Sequence, residues 1–319
     1  MNWGILGASK FAFEHMGPAI HAADGSELTA VASRSEHGGA AFQIFAPGCD
    51  LIQGYDTLLA RDDIDAVYIP LPHTLHAEWS VKALHAGKHA LTEKPIGMSV
   101  AEVDNVIKAR DETGLIATEA YMIAHHPQWH RVRQMIADGA IGDVVHLSGQ
   151  FSYDNSGDPK NIRNDQTRGG GALPDIGVYA MGAALMVMDA PLTDICARIR
   201  FEDGYDTFAQ ITGRIGQATY SGYVSMRMHL HQAFEIHGTK GLIRMTAPFN
   251  PRIFGEARIE LHQDNLGLCV ERFPLADQYK LQVEAFAAAT QGADYPWPLE
   301  HACRTQQALD DIYAAATIL

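Results

Sequence analysis

The strongest constraint on the fold is the alternation of two patterns along the first 120 residues. Short runs rich in β-forming apolar residues predict five strands, at Trp3–Leu6, Leu28–Ala32, Ala66–Ile69, His89–Leu91 and Leu115–Thr118. Between them, Leu75–Ala86 and Val100–Thr113 have the spacing of helices, and Ser99 with Glu102 has the form of a capping box. Strands that alternate with helices across short loops predict a parallel sheet covered by helices on both faces.

The pattern changes after about residue 121. The order there is a helix, a strand, a polar loop and a second helix, at Gln128–Asp138, Val144–Phe151, 154–171 and Leu173–Met188. Five further strands and two closing helices follow, at Ile195–Phe201, Phe208–Arg214, Ala218–Val224, Ala233–His237, Leu242–Thr246, Gln278–Thr290 and Leu299–Thr317. Consecutive strands separated by turn signals predict an α+β domain with a large, mostly antiparallel open sheet.

This change divides the chain into two predicted domains. Residues 1–120 form an α/β domain with a doubly wound parallel sheet, and residues 121–319 form the α+β domain, whose last helix can pack back on the first domain. A chain of 319 residues is long for one domain and comfortable for two. Because an open sheet has pairing edges, we expect a homodimer or homotetramer.

Net charge and cysteine content narrow the classes of function. A formal charge of −14 argues against nucleic acid and anionic membranes as partners, because both require a basic surface. The four scattered cysteines favour reduced thiols over a disulfide framework or a zinc site. The chain has no run of 18 apolar residues and no basic segment before its first strand, so we expect no transmembrane helix, no signal peptide and a cytoplasmic location.

The first predicted strand ends in a turn typical of dinucleotide binding. Set against the fingerprint G-x-G-x-x-G/A, Gly7 takes the first position, Ser9 replaces the second glycine and Ala12 takes the third. The glycine permits a tight turn, and the N-terminus of the following helix offers N–H groups to a pyrophosphate. The candidate cofactor contacts are Gly7, Ala8, Ser9, Lys10, Phe11 and Ala12. The alternative is an ordinary strand-to-helix turn.

The end of the second predicted strand bears on the choice of cofactor. An acidic residue at this position would bind the ribose 2′-hydroxyl of NAD, and none is present. Ser33 and Arg34 instead offer a hydroxyl and a planar cation to a 2′-phosphate, which favours NADP over NAD. The alternative is a polar strand end without a ligand.

Two prolines and two histidines follow the strand predicted at Ala66–Ile69. This is the carboxyl edge of a parallel sheet, where ligands bind in open α/β folds. The candidate cofactor contacts are Leu71, Pro72, His73 and His76. A histidine pair at this spacing can bind a metal, but no third ligand lies nearby in the sequence, so we expect no metal site.

The strand predicted at His89–Leu91 leads into Glu93-Lys94-Pro95. A lysine beside a carboxylate at the end of such a strand is a candidate functional group, and a surface ion pair is the alternative. Together with the N-terminal turn, the stretch Pro72–His76 and the stretch Gly169–Tyr179, this motif resembles the Gfo/Idh/MocA family of glucose-fructose oxidoreductase and inositol dehydrogenase. The resemblance implies a nucleotide-binding Rossmann domain followed by an α+β domain whose open sheet commonly forms oligomer contacts.

The resemblance also implies site residues. Lys94 matches the family's active-site lysine, and Glu93 and Lys94 are candidate cofactor contacts. Asp175 and Tyr179 match the aspartate and the histidine-or-tyrosine of the second signature, and their i, i+4 spacing predicts that they share a helix face. The tyrosine is similar to that of dihydrodiol and xylose dehydrogenases. Ser9 departs from the commoner glycine but resembles the turn of 1,5-anhydrofructose reductase.

Carbinol oxidation requires removal of the hydroxyl proton while hydride leaves carbon, and a phenol is a poor base unless a nearby ammonium stabilises the phenolate. The hypothesis is that Tyr179 exchanges the proton, Lys94 lowers the tyrosine pKa and polarises the substrate oxygen, and Asp175 orients the substrate or Lys94. The alternative for Tyr179 is a helix tyrosine buried in the predicted domain interface. The candidate substrate contacts are Asn161, Arg163, Tyr121 and His126. For Asn161 and Arg163 a solvated loop is the alternative, and for His126 a structural role at the start of a helix is favoured.

The sequence therefore predicts an NADP-dependent oxidoreductase of CH-OH groups that acts on a sugar or polyol. Two other functions stay open: a non-redox member of the family, such as a glycosidase-like hydrolase with tightly bound cofactor, and an NADP-sensing regulatory protein. A regulatory protein need not keep Lys94, Asp175 and Tyr179 together, and this chain keeps all three.

Overall fold

The computed structural model describes residues 1–35, 38–264 and 267–319. The chain divides into two compact units, one formed by Met1–His125 and Asp277–Ala302, and the other by His126–Ala276 and Cys303–Leu319. The segment Asp277–Ala302 thus belongs with the N-terminal unit, although it lies far beyond the boundary predicted at residue 120. The assignment of cofactor binding to residues 1–120 and of substrate binding to residues 121–319 stays a prediction.

The first unit contains a six-stranded sheet. Its strands are β1 Asn2–Leu6, β2 Glu27–Ser33, β3 Asp50–Gln53, β4 Ala66–Ile69, β5 His89–Glu93 and β6 Ala117–Ala120. Their order is β3-β2-β1-β4-β5-β6, and every neighbouring pair is parallel. This is the strand order of a doubly wound dinucleotide-binding fold, so the predicted fold class is confirmed. Strand β3 is not predicted, because its four residues contain no buried apolar run.

Helices connect these strands. They are α1 Gly17–Ala22, α2 Tyr55–Leu59, α3 His76–His85 and α4 Val100–Thr113. A π-helical turn at Ala12–Met16 leads directly into α1. The bounds of α4 are those predicted from the sequence, and the Ser99 side chain accepts a hydrogen bond from the Glu102 N–H at 3.3 Å. In a capping box the glutamate binds the N–H of the N-cap residue, here Ser99. The Glu102 carboxylate instead accepts from the N–H of the residue before it, Met98, at 2.8 Å.

The second unit is built on a nine-stranded sheet. In chain order, its strands begin with β7 Val144–Asp154, β8 Leu192–Glu202, β9 Tyr205–Ile215, β10 Ala218–Ser225, β11 Arg227–Gly238, β12 Gly241–Met245, β13 Arg258–Gln263 and β14 Gly267–Arg272, and they end with β15 Ala316–Ile318. The order is β14-β13-β12-β11-β7-β10-β9-β8-β15. Only the β7–β10 and β8–β15 pairs among these strands are parallel, so the predicted, mostly antiparallel sheet is confirmed.

Two helices of the second unit precede and follow β7. They are α5 Pro127–Ala137 and α6 Val178–Met188. A π-helical turn at Leu173–Gly177 leads into α6, so the helix predicted over Leu173–Met188 has a wider first turn than an α-helix. The stretch Gln166–Met188 is apolar enough by composition to cross a membrane, but 89% of its apolar window is buried inside the unit, as in a core helix.

The C-terminal region contributes two more helices. Helix α7 spans Gln278–Ala289, and α8 spans Leu299–Ala314. Helix α7 lies in the first unit, where Phe286 packs on the fully buried Trp3 of β1 with ring centroids 5.1 Å apart. The core of the first unit therefore combines residues from both ends of the chain.

Candidate active site

The predicted dinucleotide turn lies between β1 and the helical segment that begins at Ala12. Gly7 has a φ of +115°, and a Cβ on it would lie 2.9 Å from Leu71 Cδ2, so only glycine fits without strain. The Ser9 hydroxyl accepts a hydrogen bond from the Ala12 N–H at 3.1 Å, which leaves its own proton to donate. A turn that begins with glycine, has small residues at its next two positions and is followed by a helix start fits the pyrophosphate of a dinucleotide.

Ser33 and Arg34, at the end of β2, differ in their exposure. Ser33 is buried and donates its hydroxyl to the Ser35 carbonyl, whereas Arg34 is exposed. Arg34 lies close enough to Tyr55 for its charge to favour the phenolate, although burial outweighs it and raises the pKa of Tyr55. Tyr55 packs edge-on against Trp79 at 5.0 Å. This aromatic pair beside Arg34 lies on α2 and α3, and the sequence pattern did not single it out.

The two histidines after β4 have different surroundings. His73 is buried in a 3-10 turn, with its ring centroid 5.6 Å from that of His76. His76 is fully buried, and its two ring nitrogens lie 2.7 Å from the Pro95 carbonyl and 2.6 Å from the Leu71 carbonyl. Burial lowers the pKa of His76 to about 4. The structure therefore places His76 between two backbone segments, where the neutral ring donates its one N–H to one of the two carbonyls.

Glu93 and Lys94 lie at the carboxyl end of β5. The Glu93 carboxylate accepts a hydrogen bond from the Tyr68 hydroxyl at 2.6 Å and one from the Lys94 N–H at 3.3 Å. Lys94 is 7% exposed, so the alternative of a surface ion pair is wrong. The Lys94–Pro95 peptide bond is cis.

A second buried carboxylate, Glu119, lies beside this motif at the end of β6. It accepts a hydrogen bond from the Ile96 N–H at 3.0 Å and one from the Trp297 indole N–H at 2.9 Å. Burial raises the pKa of Glu119 to about 7, because the positive charge of Lys94 and the two hydrogen bonds offset only part of the desolvation. The sequence analysis did not select Glu119, since nothing in its neighbourhood along the chain marks it as buried.

The second unit gathers the residues of the glycine-rich signature. Asp175 is 3% exposed and lies in the π-helical turn. Its carboxylate accepts a hydrogen bond of 2.6 Å from the Tyr153 hydroxyl and pairs with Arg163 Nε at 2.9 Å. The Asp175 charge raises the pKa of Arg163, and burial with the same charge raises the pKa of Tyr153, so both stay protonated donors. Tyr153 was not predicted as a site residue.

Tyr179 lies one turn further along, at the start of α6. Its side chain is 5% exposed, and its ring lies 5.9 Å from the rings of Phe151 and Phe249. Those two phenylalanines stack on each other at 5.4 Å. Tyr179 lies close enough to Arg163 for a negative charge on the phenol to raise the pKa of the guanidinium. The phenol is therefore near the Asp175–Arg163 ion pair.

Asp206 of β9 also binds the glycine-rich turn. Its carboxylate accepts hydrogen bonds from the Leu173 N–H at 2.7 Å and from the Tyr313 hydroxyl at 2.6 Å. A Cβ on Gly171 would lie 2.2 Å from Asp206 Oδ1, so the glycine leaves room for this carboxylate. Burial raises the pKa of Asp206 to about 6.

The other candidate substrate contacts lie in varied surroundings. Asn161 caps the 3-10 turn of its loop: it accepts from the Arg163 N–H at 3.1 Å and donates to Asp158 at 3.2 Å. Tyr121 is fully buried and stacks on Trp297 at 4.0 Å. His126 is buried at the start of α5, where its Nδ1 accepts from the Gln128 N–H at 3.1 Å.

Within each unit, the structure brings together a subset of the predicted residues. The first unit gathers His76, Glu93 and Lys94, and the second gathers Arg163, Asp175 and Tyr179. Among residues 1–35, 38–264 and 267–319, no group of three or more His, Cys, Asp or Glu side chains has a metal-binding arrangement.

Comparison with known proteins identifies the class. A family model described as an oxidoreductase family with an NAD-binding Rossmann fold matches residues 1–121, and the GFO/IDH/MocA C-terminal domain model matches residues 129–244. Both lie in the order expected for a nicotinamide-dependent oxidoreductase. The chain belongs to the Gfo/Idh/MocA family and is an NAD(P)-dependent dehydrogenase or reductase.

Individual relatives extend over nearly the whole chain. The chain is 33% identical to a dTDP-3,4-didehydro-2,6-dideoxy-alpha-D-glucose 3-reductase of Actinomadura kijaniata, covering 92% of this chain and 88% of the relative. It is 30% identical to D-xylose 1-dehydrogenase (NADP(+)) 2 of Haloferax volcanii, covering 99% and 97%. The solved structure of KijD10, a 3-ketoreductase from Actinomadura kijaniata in complex with NADP and TDP-benzene, matches with a TM-score of 0.92 at 30% identity, covering 100% and 98%.

Proposed function

We propose that the protein is an NADP-dependent oxidoreductase that transfers hydride between the nicotinamide and a carbonyl or hydroxyl carbon of a sugar or polyol. The reductase and the xylose dehydrogenase that the chain resembles are named for sugar substrates, and the matching ketoreductase structure contains NADP. The polar end of β2 supports the same cofactor, since Ser33 and Arg34 stand where an acidic residue would select NAD.

The assignment of chemical roles rests on the two partners of the Asp175 carboxylate. Both of its oxygens are engaged, one by the Tyr153 hydroxyl and one by Arg163 Nε. A carboxylate held by two charge-assisted or strong hydrogen bonds is stabilised in its ionised form and is a poor proton carrier. Asp175 therefore serves to orient its neighbours, and Tyr179 is the proton carrier among the signature residues.

NADP, when bound, supplies or accepts the hydride at its nicotinamide ring. The ammonium of Lys94 polarises the substrate oxygen and favours the phenolate of Tyr179. Tyr179 gives a proton to that oxygen during reduction and takes it during oxidation. Arg163, fixed on Asp175, presents its remaining N–H groups to substrate hydroxyls, while Asn161 holds the loop that carries it.

A substrate panel with single substitutions tests this proposal. Aldoses, polyols and ketoses, with D-xylose as the first compound, are assayed with NADP and NAD by nicotinamide absorbance. Tyr179→Phe and Lys94→Ala should each lower kcat by about 10²- to 10⁴-fold, the usual contribution of general acid–base catalysis. NADP affinity, measured by fluorescence titration, should stay within about threefold of the parent value.

Matched controls use a lysine and a tyrosine outside the predicted site. Lys108 is an exposed α4 residue paired with Glu112, and Tyr223 is a partly buried residue of β10. Lys108→Ala and Tyr223→Phe should keep full turnover. Near-normal turnover of Tyr179→Phe or Lys94→Ala would contradict the assigned roles, and substrate conversion without net change of free NADP would indicate the non-redox alternative.

A further inference from the structure

We infer that Glu119 is a positioning residue for Lys94, acting through the backbone of Ile96 and itself held by Trp297. The inference rests on the proposed role of Lys94 in proton handling. All four residues lie in the first unit of the chain.

The geometry of the Glu119 carboxylate is specific. One oxygen accepts from the Ile96 N–H at 3.0 Å, and the other accepts from the Trp297 indole N–H at 2.9 Å. Glu119 is 2% exposed, and Trp297 is fully buried and stacked on Tyr121 at 4.0 Å. The indole therefore has a fixed position, and through Glu119 it fixes the backbone two residues after Lys94.

The same segment is held at two neighbouring points. The Tyr68 hydroxyl binds the Glu93 carboxylate at 2.6 Å, and His76 Nδ1 lies 2.7 Å from the Pro95 carbonyl. Glu93, Pro95 and Ile96 are thus each tied to a different element of the unit. These contacts confine the Lys94 backbone on both sides, and Glu119 is an anchor on its C-terminal side together with His76.

A carboxylate is the side chain that this position requires. Two N–H groups point at it, and each needs an acceptor because an unpaired buried donor is costly. A glutamine offers one acceptor oxygen and one NH₂ group, so it cannot satisfy both donors. Burying a carboxylate is itself unfavourable, so general stability alone does not account for an ionisable group here. The placement of Glu119 next to the Glu93-Lys94-Pro95 motif accounts for the ionisable group.

The test compares two uncharged residues in the absence of the indole donor. On a Trp297→Phe background, Glu119→Gln keeps an oxygen for the Ile96 N–H, whereas Glu119→Met has nearly the same size and no acceptor. We expect E119Q/W297F to keep kcat within about threefold of W297F, and E119M/W297F to lose about 10- to 100-fold, the scale of a misplacement of about 1 Å. The assay uses NADP with D-xylose or the most active compound of the panel.

The pattern across kinetic constants separates positioning from general loss of structure. E119M/W297F should lower kcat while its KM, its NADP affinity and its melting temperature stay close to those of E119Q/W297F. Equal kcat for the two double variants would overturn the inference, as would a loss confined to KM or to folding. Should either double variant fail to fold, Glu119→Met is compared with the parent protein, where an unchanged kcat would likewise overturn the inference.

Lys94→Ala is measured in the same series. If that variant retains turnover, the proposed function fails whatever the Glu119 variants do. If it is inactive and the two Glu119 variants do not differ, the proposed function stands and the positioning role of Glu119 is rejected.

Discussion

The phenol of Tyr153 donates a 2.6 Å hydrogen bond to Oδ2 of Asp175, while Arg163 occupies the other carboxylate oxygen. Asp175 is buried, so neither oxygen can exchange its partner for bulk water without structural change. This arrangement fixes the carboxylate plane and, with it, the direction of the Arg163 guanidinium.

Tyr153→Phe removes the hydroxyl and leaves the ion pair in place. An Asp175 oxygen then loses a hydrogen bond inside the protein, which should cost about 1–3 kcal/mol of unfolding free energy. We also expect kcat to fall by about tenfold or more, since Arg163 loses its fixed direction. Urea unfolding and the nicotinamide assay measure the two effects. Tyr223→Phe is the matched control, and a Tyr153 variant as stable and active as that control would contradict the prediction.

Gly171→Ala tests the space that the glycine-rich turn leaves for Asp206. The new Cβ would lie 2.2 Å from Asp206 Oδ1, and the backbone φ of +139° is unfavourable for alanine. We expect a loss of about 2 kcal/mol or more in unfolding free energy. Gly157→Ala in the preceding loop is the control, because its Cβ would meet no atom within 4 Å. Equal stability of the two variants would show that the turn adapts freely.

The raised pKa of Asp206 predicts a pH-dependent contribution to stability. Its folded-state value is about 6 against an ordinary 3.8, so the native state binds the proton more tightly than the unfolded state. Stability from this group is therefore highest below pH 3.8 and falls as pH rises to about 6, with a limiting slope of about 1.4 kcal/mol per pH unit.

Asp206→Asn removes this dependence because the amide does not titrate in that range. The unfolding free energy of the parent minus that of the variant should fall between pH 4 and pH 6 and level off above it, within the window given by the raised pKa. Urea titrations at several pH values measure the difference. A difference that stays constant, or that rises with pH, would contradict the expected direction of the shift.

Ser33→Asp should turn cofactor preference toward NAD. A carboxylate at the end of β2 can accept from a ribose 2′-hydroxyl and repels a 2′-phosphate.

Arg34→Ala should weaken NADP use by about 10- to 100-fold, the worth of a charge-assisted hydrogen bond, and leave NAD use nearly unchanged. Ratios of kcat/KM for the two cofactors provide the measurement. Arg198→Ala, on an exposed β8 position, should not move the ratio; unchanged preference in Ser33→Asp would argue against NADP selection at this strand end.

Local patterns in the sequence were sufficient for most of the fold. Strand β4 and helix α4 have the predicted bounds, because each has a clear periodicity and clear end signals. Strands β3, β13, β14 and β15 escaped prediction, and the helix predicted to run to Thr317 ends at Ala314, before β15 at Ala316–Ile318. Strand β3 is only four residues long and β14 has no buried residue, whereas β13 alternates polar and apolar residues over only six positions. The π-helical turns also escaped, since no spacing rule separates them from ordinary helix starts.

Candidate site residues can be predicted from the sequence only where a motif lies within a short stretch of chain. Lys94, Asp175 and Tyr179 stand in such stretches. Glu119 and Asp206 do not, because their partners Trp297 and Tyr313 lie 178 and 107 residues away. In the sequence alone, a carboxylate whose hydrogen-bond donor lies far along the chain looks like any other strand residue.

The segment Asp277–Ala302 belongs to the N-terminal unit, and this has a consequence for synthesis on the ribosome. Until that segment emerges, Trp3 lacks its neighbour Phe286, and Glu119 lacks the Trp297 indole. The half of the protein that is made first is therefore completed almost last. A gene truncated before residue 277 would encode a first unit that lacks part of its core and the Trp297 partner of Glu119, so residues 1–276 do not contain the complete first unit.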